Sequence, residues 1–175
     1  RQTVAVAEQE ILPFSLLPAT GDHLSSIMAI DQQSFPDPWG RRLFLDELTA
    51  PHSRLYCALQ KQWNGSIAVC GYICFHCCLD EASLLKIAVH PEKRRQGFAS
   101  ALLQKMMASA AGEGVRTIHL EVRPSNTAAV RLYQSFGFSC QGKRRHYFAD
   151  TGEDALIMSF YTRLQNGEPG EEVPL

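Results

Sequence analysis

One segment, residues 84–110, joins a short apolar run to an amphipathic stretch through a turn that contains glycine and arginine. Residues 84–89 are mostly apolar, as in a buried strand, and from residue 98 onward the apolar side chains recur at helical spacing. The turn between them is Arg94-Arg95-Gln96-Gly97. Unpaired N–H groups at the start of a helix favour an anion, and arginine adds fixed positive charge. The segment therefore predicts a phosphate-binding turn between a strand and a helix.

The turn does not match either common nucleotide-binding fingerprint. It lacks the Gly-Lys-Ser/Thr ending of the P-loop, and it lacks the Gly-x-Gly-x-x-Gly pattern of dinucleotide-binding folds. A glycine turn before a helix is a weak signal by itself, because many such turns only connect two elements. A turn without any ligand is therefore the plain alternative.

Length and charge restrict the class of protein. The chain has 175 residues, 45% of them hydrophobic, which suits one domain with a sizeable core. Lysine plus arginine number 17 and aspartate plus glutamate 18, so the overall charge indicates neither nucleic acid nor a membrane surface as a partner. No apolar run approaches the roughly 20 residues that cross a bilayer. We expect a cytoplasmic monomer, with a loose segment over residues 1–9, one domain over residues 10–164 and a disordered tail over residues 165–175.

The cysteines do not have the spacing of a metal site. Four of the six, Cys70, Cys74, Cys77 and Cys78, fall within one predicted strand. Side chains alternate along a strand, which places Cys70, Cys74 and Cys78 on the face of Tyr72 and Cys77 on the other. One strand cannot fold back to chelate an ion, and a second pair at zinc-site spacing is absent. We expect reduced, packed thiols and no metal.

The order of elements predicts a mixed sheet. Apolar periodicity and turn residues indicate strands at 11–17, 54–60, 67–79, 82–89, 117–122, 138–148 and 155–161, and helices at about 22–34, 41–48, 98–111 and 126–136. A strand, a crossover helix and a strand make a parallel pair, whereas the hairpins on either side are antiparallel. The expected fold class is α/β (α+β), with a mostly antiparallel seven-stranded sheet and about four helices.

This pattern resembles that of the GNAT acetyltransferases over about residues 10–162. Their acetyl-CoA signature, Gln/Arg-x-x-Gly-x-Gly/Ala, is matched by Arg94, Gly97 and Ala99. In that family the fourth and fifth strands are parallel and splayed, and the pantetheine arm of acetyl-CoA lies between them. The resemblance implies acetyl-CoA as the cosubstrate, bound by the strand and the turn through Ile87, Ala88, Val89, Arg94, Arg95, Gln96, Gly97, Phe98, Ala99 and Ser100.

Other stretches are similar to one branch of that family, the RimI-type ribosomal-protein-alanine N-acetyltransferases. They are residues 120–129, 132–138, 145–147, 153–158 and the loop 35–39, which resembles a Phe-Pro-Trp loop with an extra Asp37-Pro38. The resemblance implies direct transfer of acetyl to a protein N-terminus, that of an alanine-first small-subunit ribosomal protein. It makes Glu121 the base, Tyr133 the acid that protonates the thiolate and Asn126 a coenzyme contact. The acceptor peptide would lie between Phe35, Trp39, Arg145 and Tyr147.

The acid–base chemistry of these residues agrees with that implication. An α-amine has a pKa of about 7.7 to 8.0, so a carboxylate base suffices, whereas lysine at about 10.4 needs more help. Tyrosine at about 10 can protonate a thiolate whose pKa is about 8.5. His119 shares the strand face of Glu121 and is an alternative base. A basic acceptor tail would favour acidic walls, for which Asp37, Asp46 and Glu47 are candidates.

Plainer interpretations stay open for each feature. Glu121 could be a surface charge at a strand end, Tyr133 a core residue, and the aromatic side chains of residues 35–39 a plug at the core edge. Two other functions fit the motifs: acetylation of lysine or of a small amine, and a non-catalytic module that only binds acyl-CoA. A module of that kind needs the phosphate turn but neither an acid nor a base.

Overall fold

A mixed sheet of seven strands organises residues 14–162, the part of the chain that the computed structural model describes. The strands are β1 (Ser15–Pro18), β2 (Ser53–Lys61), β3 (Ile67–Cys78), β4 (Glu81–Val89), β5 (Thr117–Val122), β6 (Ser139–Phe148) and β7 (Glu153–Tyr161). The helices are α1 (Leu24–Ser34), α2 (Arg41–Thr49), α3 (Phe98–Gly112) and α4 (Thr127–Ser135), and short 3₁₀ turns span Gly21–His23 and Pro91–Lys93. The predicted fold class is confirmed. The segments 1–9 and 165–175, and residues 11–13 of the first predicted strand, lie outside the described residues.

The strands lie in the order β1-β2-β3-β4-β5-β7-β6, and only β4 and β5 are parallel. Each face of the sheet carries one hydrophobic core. On one face α3 and α4 pack against the sheet through Leu102, Met106 and Tyr133. On the other face α1 and α2 do so through Ile27 and Phe44. The alternation of strand side chains therefore decides which helices a given residue faces.

The β4–β5 pair is the weak seam of this sheet. Only three residue pairs join the two strands: Glu81 with Thr117, Ala82 with Ile118 and Ser83 with His119. Beyond Ser83 no further residue of β4 pairs with β5 in the described range. The carboxyl ends of the two strands consequently diverge, as expected from the resemblance, and leave an opening beside residues 84–89.

Two irregularities shift side chains between the faces. The β2–β3 register places Ala58 opposite Gly71 but Leu59 opposite Val69, so Cys70 is an extra residue. The bulge moves Cys70 into the α3–α4 core. The expectation that Cys70 shares the face of Tyr72 and Cys74 was wrong, because strict alternation does not survive a bulge. A second bulge makes Leu85 the extra residue of β4, which sets Lys86 toward the α1–α2 face.

None of the helices within residues 14–162 is long and apolar enough to cross a membrane. Over the same residues, no group of three or more histidine, cysteine, aspartate or glutamate side chains is placed to hold a metal ion.

Candidate active site

The turn after β4 presents a row of unpaired backbone donors. From Arg95 to Ser100, the N–H groups have no acceptor among residues 14–162. Two left-handed residues, Arg95 at φ +63° and Gly97 at φ +87°, aim this row at the start of α3. A Cβ on Gly97 would meet nothing within 4 Å, so the position favours glycine for its backbone angle and not for space. The geometry suits a phosphate group.

Strand β4 connects this turn to the opening. The N–H of His90 donates to the carbonyl of Cys70 at 2.8 Å, which makes Val89 and Gly71 a non-hydrogen-bonded pair. The backbone groups of Val89, and by the same alternation those of Ile87, therefore point away from β3 and toward the opening. Those of Ala88 pair with β3 instead. The Arg94 side chain donates to the Val89 carbonyl at 3.3 Å and ties the turn to the strand end.

Asn126 caps α4 next to this opening. Its side-chain oxygen accepts a hydrogen bond from the N–H of Ala129 at 3.2 Å, which explains an asparagine at the helix start. Its amide nitrogen makes no hydrogen bond within the described range, so this group is the part of Asn126 that can contact a coenzyme.

Glu121 lies at the end of β5 within a small polar cluster. Its carboxylate is 2.8 Å from the Arg144 guanidinium of β6, with 26% of the Glu121 side chain exposed. A hydrogen bond to Glu121, together with some burial, raises the pKa of Tyr147. The cluster forms because β6 is irregular between Arg144 and Phe148, where His146 has φ +50°. Two side chains of β6 can thereby reach one carboxylate.

Tyr133 approaches from the opposite face of the sheet. It is 5% exposed and belongs to the α3–α4 core, where its ring is 5.9 Å from that of Phe138. Burial raises the pKa of the hydroxyl, which therefore stays protonated at neutral pH. The hydroxyl makes no hydrogen bond to any residue from 14 to 162. Glu121 and Tyr133 thus flank the carboxyl end of β5 from its two sides.

The alternative base is placed differently. His119 Nδ1 is 2.7 Å from the Ser159 hydroxyl, and its Nε2 is 3.8 Å from Glu81. It lies at the last β4–β5 pair, where the seam is still closed. Its ring is therefore engaged below the opening, and the geometry favours Glu121.

The loop 35–39 packs on the α1–α2 face. Phe35 and Trp39 are partly buried against that core, and the Trp39 ring is 5.3 Å from the ring of Phe44. Beneath the loop, the Lys86 ammonium is 2.8 Å from the Asp31 carboxylate. This pair was not predicted from sequence. The sequence features that indicate this pair are a carboxylate on the buried stripe of α1 and a lysine inside an apolar strand.

The proposed acidic walls are largely absent. Glu47 accepts hydrogen bonds from the Ser53 hydroxyl at 2.5 Å and pairs with His76 at 2.7 Å. Asp46 pairs with Arg42 along α2 at 3.1 Å. Of these three candidates, only Asp37 is exposed and has no ion pair within residues 14–162. The hairpin side of the site is basic, because Arg145, one of the predicted acceptor contacts, is exposed beside Arg144 on the edge strand β6.

All six cysteines are free thiols. Cys57, Cys70, Cys74 and Cys77 are buried, whereas Cys78 and Cys140 are exposed, so packed thiols account for four of the six. Burial raises the pKa of Cys57 to about 11 and that of Cys74 to about 12. None of these thiols lies at the cluster of Glu121.

Comparison with known proteins assigns the class. The profile of the Acetyltransferase (GNAT) family matches residues 24–138, and the chain belongs to that family. It is therefore an N-acetyltransferase. It is 38% identical over 132 residues to the [ribosomal protein bS18]-alanine N-acetyltransferase of Escherichia coli K12, covering 74% of this chain and 85% of that protein.

Solved structures agree with the fold. The crystal structure of the ribosomal-protein-S18-alanine N-acetyltransferase from Escherichia coli has a TM-score of 0.75 at 30% identity, covering 93% of this chain and 99% of that one. The structure of Arabidopsis thaliana NAA60 in complex with acetyl-CoA has a TM-score of 0.76 at 16% identity, covering 85% and 98%. The second likeness concerns the fold alone.

Proposed function

We propose that the chain transfers acetyl from acetyl-CoA to the N-terminal α-amine of a protein, and that the acceptor is a ribosomal protein with alanine first. The observation that carries the proposal is the pair Glu121 and Tyr133, which flank one opening next to a turn of free N–H groups. The name of the Escherichia coli relative, an acetyltransferase for the alanine of a ribosomal protein, supports the choice of acceptor.

The residues of the opening fit acetyl-CoA. The N–H groups of residues 95–100, with Arg94 and Arg95, would hold its pyrophosphate, and the outward-facing backbone of Ile87 and Val89 would bind the pantetheine arm. Bound there, the coenzyme supplies an activated acetyl thioester. The Val89 N–H would polarise the thioester carbonyl and stabilise the negative charge that develops on its oxygen.

Glu121 would remove a proton from the acceptor ammonium, directly or through a water molecule. An α-amine has a pKa of about 7.7 to 8.0, so the free energy needed to deprotonate it near neutral pH is small. Before the acceptor binds, the Arg144 guanidinium forms an ion pair with the Glu121 carboxylate. The acceptor ammonium would then compete with the guanidinium for the same oxygen atoms.

Tyr133 would donate its proton to the departing thiolate. Burial raises the pKa of Tyr133, so its proton is in place but harder to release. The same apolar surroundings raise the pKa of the thiol that forms, because desolvation disfavours both anions. The two effects act in opposite directions on the free energy of the proton transfer.

Phe35, Trp39, Arg145 and Tyr147 would contact the acceptor. The loop 35–39 packs over Lys86 of β4, and the β6–β7 hairpin lies on the other side of β5, the strand that carries Glu121. An extended peptide between them would place its first residue over the opening and would be held largely through its backbone.

The test is thiol release from acetyl-CoA with two basic peptides, one with a free N-terminal alanine and one blocked there but carrying lysine. We expect turnover of the first only, and a loss of about 10²- to 10⁴-fold in kcat for Glu121→Gln and Tyr133→Phe. Matched controls are Glu81→Gln and Tyr161→Phe, which alter the same residue types at exposed positions. Equal turnover of the blocked peptide would assign a lysine or small-amine acceptor. Full activity of both variants would remove the two residues from the mechanism.

A further inference from the structure

A buried charged network lies directly beneath the loop 35–39. The Asp31 carboxylate has no exposed surface and accepts hydrogen bonds from three directions. The donors are the Tyr72 hydroxyl at 2.5 Å, the Lys86 ammonium at 2.8 Å and the Trp39 backbone N–H at 2.6 Å. Helix α1, strands β3 and β4 and the loop are therefore joined at a single carboxylate.

Lys86 also contacts the aromatic side chains of the same loop. Its ammonium is 4.2 Å from the ring centre of Phe35 and 5.0 Å from that of Trp39, with only 9% of the Lys86 side chain exposed. A cation over an aromatic face is attracted to it, and more strongly where water is excluded. The rings of Phe35 and Trp39, both predicted to contact the acceptor, therefore pack against the Lys86 ammonium.

Stability alone is a poor reason for such a pair. Two charges lose their hydration when buried, and apolar residues of similar volume are often at least as stable in their place. An apolar pair could fill the space under the loop, but it could not accept a hydrogen bond from the Trp39 N–H. What the charged network provides is a fixed position for that backbone.

We propose that Asp31 and Lys86 are positioning residues for the acceptor. They hold the loop 35–39 at a fixed distance from β4, on the sheet face that Glu121 shares, so that the acceptor N-terminus is confined between the loop and the base. The proposal rests on the proposed function for the identity of the acceptor. The position of the loop can be tested without any acceptor.

The first test uses tryptophan fluorescence. The chain has two tryptophans, and Trp63 lies fully exposed on the β2–β3 turn, so Trp63→Phe leaves Trp39 as the only one. In that background, Asp31→Leu with Lys86→Met removes both charges without stranding either, and it also removes the acceptor of the Trp39 N–H. We expect red-shifted Trp39 emission and stronger acrylamide quenching than in Trp63→Phe alone. Unchanged emission and quenching in a folded double variant would overturn the proposal.

The second test separates binding from chemistry. The double variant should raise KM for the acceptor by about tenfold or more, the ratio that corresponds to the loss of a charged hydrogen bond. The kcat should change little, because Glu121, Tyr133 and the phosphate turn are not in the network. Glu47→Gln is the control, since it breaks a partly buried network on α2 that does not touch the loop. It should lower the melting temperature and leave the acceptor KM unchanged.

The outcomes distinguish the two proposals. If the wild-type chain does not acetylate a free-alanine peptide, the proposed function fails, and the fluorescence test still decides whether the network fixes the position of the loop. If the peptide reacts but the double variant only loses stability, with the acceptor KM of the wild type, the pair is structural and the positioning role is refuted.

Discussion

Gly71 of β3 is the residue whose enlargement should most directly disturb the coenzyme strand. A Cβ there would lie 2.8 Å from the backbone oxygen of Ala88, 3.2 Å from a Leu102 methyl carbon and 3.3 Å from Val89 Cγ2. The first contact is with backbone, so a side-chain rotation cannot relieve it. Gly71→Ala must push β4 away from β3, toward the opening.

The magnitude follows from known effects of overpacking. Extra atoms in a packed core cost about 1 to 3 kcal/mol. For a chain of this size each kcal/mol shifts the melting temperature by about 2 to 4 °C, so Gly71→Ala should melt roughly 2 to 12 °C lower. Because Val89 and Ala88 would move, KM for acetyl-CoA should also rise.

The assays are thermal unfolding and initial rates at varied acetyl-CoA, with Gly112→Ala as the control. A Cβ on Gly112 meets nothing within 4 Å, and the residue ends α3, so alanine there should be neutral or slightly stabilising. A Gly71→Ala protein that melts with the wild type would refute the packing argument. One that melts lower but keeps its acetyl-CoA KM would show that β4 is not the coenzyme strand.

Two further predictions concern the phosphate turn and acid stability. Gly97→Ala should weaken coenzyme A binding, measured by calorimetry, by about 5- to 30-fold, because a left-handed alanine costs about 1 to 2 kcal/mol; unchanged binding would mean that the turn does not hold the coenzyme. Burial alone would raise the pKa of Glu47, but hydrogen bonds from Ser53 and His76 outweigh it and lower the pKa below 4.5. A carboxylate whose pKa is lower in the folded state than in the unfolded state stabilises the fold at pH values above its unfolded-state pKa. This stabilisation is lost as the pH falls through the folded-state pKa. At pH values below about 4.5, the midpoint temperature of unfolding should therefore fall more steeply with decreasing pH for the wild type than for Glu47→Gln. Parallel curves of midpoint temperature against pH would contradict this.

Much of the fold could be predicted because its boundaries are local. Gly137, at φ +92°, ends α4 as expected of a left-handed terminator, and β5 occupies the predicted residues 117–122. Periodicity also separated strands from helices throughout residues 14–162. Bulges could not be predicted, because they depend on the register of a partner strand that the sequence does not specify locally. The misplaced face of Cys70 is the result.

The candidate site divides in the same way. Glu121, Tyr133 and the phosphate turn lie in short motifs, so sequence reasoning could propose them. The contact of Arg144 with Glu121 depends on an edge strand, β6, reaching across β7 to a side chain of β5. The sequence pattern predicted only that the neighbouring Arg145 contacts the acceptor. Asp31 and Lys86 are 55 residues apart in the chain, and only the packed core brings their charges together. Such long-range pairs are invisible to periodicity.

The four buried cysteines have a chemical consequence for an enzyme that handles a thioester. The thiolate is the nucleophilic form of cysteine, and its population falls as the pKa rises. With pKa values of about 11 and 12, Cys57 and Cys74 are almost wholly protonated at neutral pH. These side chains, on β2 and β3, can fill the core without becoming acetylated themselves. The apolar packing of the sheet thus protects these two thiols from reaction with the thioester that the enzyme uses.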